Sequence, residues 1–164
     1  MRALTEAEVR ASFVNADEEE LRTLEMPHDF VLVDWDYLDF FAWRDPSASK
    51  RGYVLIQHDD GGVVGVVLRA SEPGRGRSGM CNICHTMQPG NQVAMLSARR
   101  TGDAGRRGDS FGTYICSDLS CHENVRLAHP LAPNEVRSPG QVDFRLDGTR
   151  RRMEAFVSRV WAQD

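Results

Sequence analysis

Cys81-Asn82-Ile83-Cys84 is followed, after a gap of 31 residues, by Cys116-Ser117-Asp118-Leu119-Ser120-Cys121. These two pairs contain all 4 cysteines of the chain, and their spacing is the strongest indication of its fold. Paired cysteines of this kind in a reducing compartment indicate a metal site rather than disulfides. Zn²⁺ prefers four tetrahedral ligands, so we expect Cys81, Cys84, Cys116 and Cys121 to bind one zinc ion.

The segment between the two pairs predicts the shape of this zinc site. Two β-prone runs, Val93 to Ala98 and Gly112 to Ile115, predict a hairpin, and a helix is expected from Cys121 to Leu127. The chain order is then a knuckle, a hairpin and a helix, which is the order of a treble-clef zinc finger. Four protein ligands leave no coordination position for a substrate or an activated water, so the zinc is expected to be structural.

Three other interpretations of the cysteines are open. Cys81-Asn82-Ile83-Cys84-His85 matches the pattern of c-type haem attachment, but the second cysteine pair would then have no role. A redox-active C-x-x-C pair belongs in a βαβ setting, whereas hairpins are predicted around this one. His85 or His122 could replace a neighbouring cysteine as a zinc ligand.

Helix-capping residues and β-prone runs predict the elements outside the finger. Thr5 with Glu8, and Asp17 with Glu20, have the spacing of capping boxes, so one helix is expected over 6–14 and a second short one up to Leu24. A hairpin is expected from the runs 53–56 and 63–68 around an Asp-Asp-Gly-Gly turn. Apolar residues recur at helical spacing near the C-terminus and predict an amphipathic helix: Met153, Phe156, Val157, Val160 and Trp161.

Two further stretches are distinctive in composition. Residues 34–43 place aromatic side chains between acids, which predicts a turn of helix anchored in the core or, alternatively, a contact surface. Residues 71–79 are rich in glycine and arginine and predict a mobile linker.

The predicted fold class is α+β, with a small antiparallel sheet, flanking helices and a treble-clef zinc finger. At 164 residues the chain is expected to form a single domain, 1–164. Its expected parts are an N-terminal helical segment (1–30), the aromatic turn and first hairpin (31–78), the zinc finger (79–130) and a C-terminal helix (131–164).

Charge is divided unevenly along the chain. Residues 1–60 contain 6 basic and 14 acidic side chains, a net charge of −8, whereas residues 61–164 contain 14 and 10, a net charge of +4. The basic excess comes from arginine, because Lys50 is the only lysine. Arginine is suited to bidentate contacts with phosphates and carboxylates.

Several classes of protein are disfavoured. No stretch approaches the ~20 consecutive apolar residues of a membrane span, and the N-terminus lacks the apolar core of a signal peptide, so a cytoplasmic protein is expected. The sequence contains none of three motifs typical of enzymes: a glycine-rich phosphate loop, a serine nucleophile elbow and an open metal site. We therefore expect neither an enzyme nor a small-molecule substrate.

The cysteine motifs and their flanking residues resemble one family. Cys81 to His85, the stretch Gly112 to Asp118 and Cys121, together with Trp43-Arg44-Asp45-Pro46 and Gly65-Val66-Val67-Leu68-Arg69, are similar to the C-terminal treble-clef zinc-finger domain of the FusB-type proteins. This domain is also labelled as the C-terminal part of fibronectin-binding proteins. The resemblance extends over most of the chain, although the segment before the first hairpin is expected to be too short for the separate N-terminal helical bundle of the staphylococcal members.

The resemblance implies a partner. FusB-type domains bind elongation factor G and promote its release from ribosomes stalled by fusidic acid. The resemblance therefore implies an adaptor that binds this factor, with the ribosome as a further partner. The family uses basic and aromatic residues around the finger. The positions here that fit are Arg99, Arg100, Phe111, Tyr114 and Phe156.

Direct RNA binding is the alternative function. Zinc domains with arginine-rich loops commonly neutralise phosphates, and the loop between the finger strands contains Arg99, Arg100, Arg106 and Arg107. The acidic N-terminal part disfavours a large RNA footprint.

Overall fold

The structure, a computed structural model, describes residues 1–71, 78–127 and 139–161 of the chain. Within these ranges the strands are β1 (Phe41–Arg44), β2 (Arg51–Gln57), β3 (Val63–Ala70), β4 (Gly79–Met80), β5 (Met87–Gln88), β6 (Val93–Arg99) and β7 (Ser110–Cys116). The helices are α1 (Glu6–Ala11), α2 (Glu18–Arg22), α3 (Gly102–Arg106), α4 (Cys121–Arg126) and α5 (Gln141–Trp161). Two 3₁₀ turns span Phe30–Leu32 and Trp35–Tyr37.

Antiparallel pairing joins five of these strands into one sheet in the spatial order β1-β2-β3-β6-β7, and β4 pairs with β5 in a separate ribbon. Both predicted hairpins are present: β2 pairs with β3 and β6 pairs with β7 along their full lengths. The short helix α3 lies in the loop of the second hairpin, where no helix was predicted. The predicted α+β class is confirmed.

Two capping boxes start the N-terminal helices, as the sequence predicts. Thr5 caps α1 with Glu8, and Asp17 caps α2 with Glu20. The first helix is shorter than predicted because its C-terminal side joins the sheet. The main chain of residues 12–14 exchanges hydrogen bonds with Gly65, where Gly65 N donates to Ser12 O and Val14 N donates to Gly65 O, both at 2.9 Å.

The sheet separates two hydrophobic cores, because side chains alternate between its faces. The N-terminal segment covers one face of β1 to β3, where the buried residues include Val9, Leu24, Trp43, Tyr53 and Leu55. Helix α5 and the cysteine cluster cover the other face, where they include Val54, Ile56, Val66, Leu96, Ile115, Met153 and Val157. The apolar stripe predicted for the C-terminal helix is therefore buried along α5, apart from the half-exposed Trp161.

The structure of residues 34–43 differs from the predicted turn of helix. The expected turn of helix is a 3₁₀ turn that ends at Tyr37, and the chain then becomes strand β1. Phe41 and Trp43 point to the same face of β1, because they are two residues apart, and their rings stack at 4.7 Å between centroids. Both are buried, so this end of the stretch belongs to the core.

Two predictions involve residues outside the described ranges. Most of the linker predicted over 71–79 falls on residues 72–77, and the expected boundary between the zinc finger (79–130) and the C-terminal part (131–164) falls within residues 128–138. Among the described helices, none combines the length and apolar character needed to cross a membrane.

Candidate metal centre

The first cysteine pair lies in a tight turn between β4 and β5. Cys81 N donates to Thr86 O at 3.1 Å, and His85 N donates back to Cys81 O at 2.9 Å, which closes the turn. His85 adopts a left-handed conformation with a φ of 57°, which reverses the chain after Cys84. Asn82 N also donates to Tyr114 O at 2.8 Å and so fastens this knuckle to β7.

The second cysteine pair comes from the end of β7 and the start of α4. Cys116 is the last residue of β7, and Cys121 is the first residue of α4. Leu119, with a φ of 66°, turns the chain between them, and its N donates to Cys116 O at 2.9 Å. The knuckle, the hairpin β6–β7 and the helix α4 thus follow one another in treble-clef order.

The four sulfur atoms form a cluster of the right size for a zinc ion. All lie within 4.8 Å of one another, and Cys81 Sγ–Cys121 Sγ and Cys84 Sγ–Cys116 Sγ are both 3.6 Å. Bonds of about 2.3 Å to a tetrahedral Zn²⁺ would separate the sulfurs by about 3.8 Å. All four cysteines are buried and free of disulfide bonds. The cluster therefore fits one structural Zn²⁺.

Hydrogen-bond donors surround the sulfurs and would stabilise thiolates. The main-chain N–H groups of Ile83 and Cys84 donate to Cys81 Sγ at 3.3 and 3.4 Å. Asn124 donates from Nδ2 to Cys116 Sγ at 3.3 Å. Sequence reasoning missed Asn124, although its position three residues after Cys121 on a helix places both side chains on one face.

The thiols do not ionise independently of one another. Hydrogen bonds from the Cys116 and Cys121 thiols lower the pKa of Cys81, while hydrogen bonding with Cys116 raises the pKa of Cys121. Four thiolates at these separations repel one another strongly unless a cation is bound among them. A divalent zinc ion supplies that charge and would allow all four to ionise.

Neither neighbouring histidine belongs to the described cluster. His85 is exposed, and the group of potential ligands at this site consists of the four cysteines alone. The His122 ring instead packs edge-on against Tyr37 and Phe40. The short ribbon β4–β5 around the knuckle also differs from the βαβ setting of a redox pair.

Helix α5 holds the knuckle from outside the finger. Arg152 donates from Nε to Ile83 O at 2.6 Å, and the Cys84 and Cys81 thiolates interact favourably with its positive charge. Desolvation by burial lowers the pKa of this guanidinium. An arginine pKa has so large a margin above neutrality that Arg152 stays charged. Since Zn²⁺ with four thiolates carries a net charge of −2, Arg152 offsets part of it.

The five residues expected to bind a partner do not form one surface. Phe156 is only 5% exposed, and its ring lies 5.6 Å from the ring of Phe111, so both face the α5 core. Tyr114 lies on the opposite face of β7 and is 53% exposed. Arg99 faces the N-terminal segment, where it donates to Asn15 O at 3.2 Å. Arg100 lines a cleft with Phe111 and Arg159.

Comparison with known proteins agrees with this geometry. The family described as "FBP C-terminal treble-clef zinc-finger" matches residues 8–160. Among solved structures, one titled "Structure of the fusidic acid resistance protein FusC" is similar, with a TM-score of 0.56 and 19% identity over 76% of this chain. The match covers 53% of that protein, so the chain spans about half of its length. No protein of curated function shows significant sequence similarity.

Proposed function

The chain belongs to the FBP C-terminal treble-clef zinc-finger family, and from that membership we propose a non-enzymatic adaptor that binds elongation factor G and changes its residence on the ribosome. The observation that carries the proposal is the closed cluster of Cys81, Cys84, Cys116 and Cys121, which we assign as the zinc ligands. A zinc with four protein ligands stabilises a binding surface and leaves no position for catalysis.

The geometry of β7 suggests where the factor binds. Tyr114 is exposed on the outer face of this edge strand, beside the knuckle, whose Asn82 N donates to Tyr114 O. An exposed aromatic side chain on a rigid, metal-anchored strand suits a protein interface. Arg99 and Arg100 follow at the other end of the hairpin, where Arg99 lies beside Asp17 and Glu20 and Arg100 lines a cleft with Arg159. Phe111 and Phe156 contribute by packing beneath this strand.

RNA binding is the second candidate, and the described contacts of the arginine loop favour it less. Arg99 lies 3.9 Å from a carboxylate oxygen of Glu20 and 4.0 Å from one of Asp17, and Arg106 forms a salt bridge with Asp103. A phosphate would have to compete with these acids for both side chains. A protein surface with mixed charge is a better match for this loop.

Calorimetric titration of the zinc-loaded protein with purified elongation factor G, at low and high salt, tests the proposal. We expect a Kd near micromolar or tighter and a loss of affinity of about tenfold or more for Tyr114→Ala. Val31→Ser is the control, because Val31 is 88% exposed in the 3₁₀ turn Phe30–Leu32, which belongs to the N-terminal segment and not to the finger. Absence of binding by folded, zinc-loaded protein would refute the proposal. Ribosomal RNA binding that weakens steeply with salt would instead support the second candidate.

A further inference from the structure

A groove lies on the surface where the N-terminal segment meets the start of α4. Its volume is about 530 Å³, and its walls come from the 3₁₀ segment, strand β1 and residues 118–123. We call it the acidic groove, defined by Asp29, Leu32, Asp34, Tyr37, Asp118 and Glu123. The adaptor role proposed above does not use it.

Large apolar side chains are exposed along the groove. Leu32 lines it and is 81% exposed, and its neighbour Val31 is 88% exposed. Tyr37 also lines the groove and is half-exposed. Adjacent exposed apolar residues on a monomer commonly mark a binding surface. Residues 30–37 therefore combine partly buried side chains, Phe30 and Trp35, which pack on Phe41, with an exposed apolar edge.

The charge around these apolar residues is strongly negative. Four carboxylates and one guanidinium, that of Arg44, line the groove, giving a net charge of −3 with histidine neutral. Arg44 already interacts electrostatically with Asp118. Nearby Asp39 forms a salt bridge with Arg126 at 3.1 Å, but among the described residues no salt bridge reaches Asp29 or Asp34. The groove thus has negative charge available for a cationic partner.

The negative charge and the exposed apolar side chains of the groove together indicate which kind of partner it binds. Nucleic acid is disfavoured, because phosphates would be repelled by the carboxylates. A second copy would have to place its basic part on this groove, and such a head-to-tail contact would build rings or open chains rather than a two-fold dimer. The geometry points to a basic, amphipathic segment of a partner protein, whose arginine or lysine side chains meet Asp29 and Asp34 while its apolar side chains cover Leu32 and Val31.

Fluorescence anisotropy with a short labelled peptide of arginine, leucine and alanine, in a helical amphipathic pattern, tests this inference on the zinc-loaded protein. We expect binding that weakens with salt, about tenfold weaker binding after Leu32→Ser, and about threefold weaker binding after Asp34→Asn. These side chains are exposed, so both variants should fold. NMR shift changes should concentrate in residues 29–37 and 118–123.

Matched controls make the result specific. Phe144→Ser removes an equally exposed apolar side chain on α5, and Asp59→Asn removes an exposed charge at the β2–β3 turn; both should bind like wild type. Peptides with serine for leucine, or glutamate for arginine, should bind at least about tenfold more weakly. Equal losses in the control variants, shifts centred on α5, or self-association of the protein through this groove would each overturn the inference. None of these outcomes depends on elongation factor G.

Discussion

Arg152 and Ile83 are 69 residues apart in the chain, yet the arginine Nε lies 2.6 Å from the isoleucine carbonyl oxygen. The carbonyl belongs to the cysteine knuckle, and the arginine belongs to the helix that covers the sheet. This single hydrogen bond therefore couples the metal centre to the main hydrophobic core.

Replacing Arg152 by glutamine should loosen the metal centre. The variant loses a charge-assisted hydrogen bond and the positive charge beside the thiolates, which we expect to cost about 1.5–3 kcal/mol of unfolding free energy. Zinc should also transfer faster to a chelator. Chemical denaturation and a colorimetric zinc-release assay measure the two effects. Arg151→Gln is the control, because Arg151 is exposed and pairs with Asp147 on the same helix rather than with the knuckle. Equal effects of the two substitutions would disprove a specific role for Arg152.

Cys84→Ser should abolish zinc binding and unfold the zinc finger. Binding energy at a structural zinc site is folding energy, so the variant should lose zinc stoichiometry, thermal stability and factor binding in parallel. Cys116→Ser should behave in the same way. His85→Asn is the matched control, since His85 is exposed and asparagine tolerates its left-handed conformation. A Cys84→Ser protein with native stability and full zinc content would show that the site is not structural.

Gly65→Ala should destabilise the junction between the N-terminal segment and the sheet. An added Cβ would lie 2.7 Å from Ser12 Oγ and 3.0 Å from the Phe13 ring, so the segment must shift, at a cost of about 1–3 kcal/mol. Urea denaturation measures this loss. In Gly79→Ala the new Cβ meets its nearest neighbour, Val93 Cβ, at an ordinary 3.7 Å. A similar loss at both positions would contradict the packing argument.

Asp45 should contribute to stability in a pH-dependent way. Burial alone would raise its pKa, but hydrogen bonds from Tyr53, Ala48 N, Ser47 N and Arg51 outweigh burial and lower it. A carboxyl whose folded-state pKa is lowered stabilises the protein fully above its unfolded pKa of about 4. That contribution is lost as the pH falls through the lower folded-state value.

Asp45→Asn should therefore cost about 1–3 kcal/mol near neutral pH and progressively less in acid. Urea denaturation over a pH series measures the difference from wild type. Asp59→Asn, at an exposed turn, should show no such trend. A difference for Asp45→Asn that grows as the pH falls would refute the assigned direction.

Much of this fold follows from local sequence signals. Thr5 with Glu8 and Asp17 with Glu20 specify helix starts through contacts three residues apart, and the cysteine spacing specifies the finger. The strand within residues 38–43 was harder to predict from the sequence, because Phe41 and Trp43 form it by pairing with Leu55 and Tyr53 of β2. Aromatic residues favour strands, but which partner strand they pair with is a tertiary contact that the local sequence does not specify.

The candidate site was also predictable only in part. The cysteine cluster was predictable because its ligands lie in short motifs, whereas Arg152 reaches Ile83 only after α5 docks. The expected partner-binding residues show the same limit. Phe111 and Tyr114 are three residues apart on a strand, so the period of two sends them to opposite faces. The N-terminal acids and apolar residues become one groove only when α4 packs beside them.

Strands β6 and β7 belong both to the zinc finger and to the five-stranded sheet. Loss of zinc should therefore affect the sheet as well as the finger. Strand β6 meets β3 in register only at Arg69↔Ser97 and Ala70↔Leu96. Without metal to hold β6 and β7, the apolar strand β3 would become an open edge. Unprotected edges recruit other chains. Metal starvation should then produce aggregates of this protein rather than a soluble, merely inactive form.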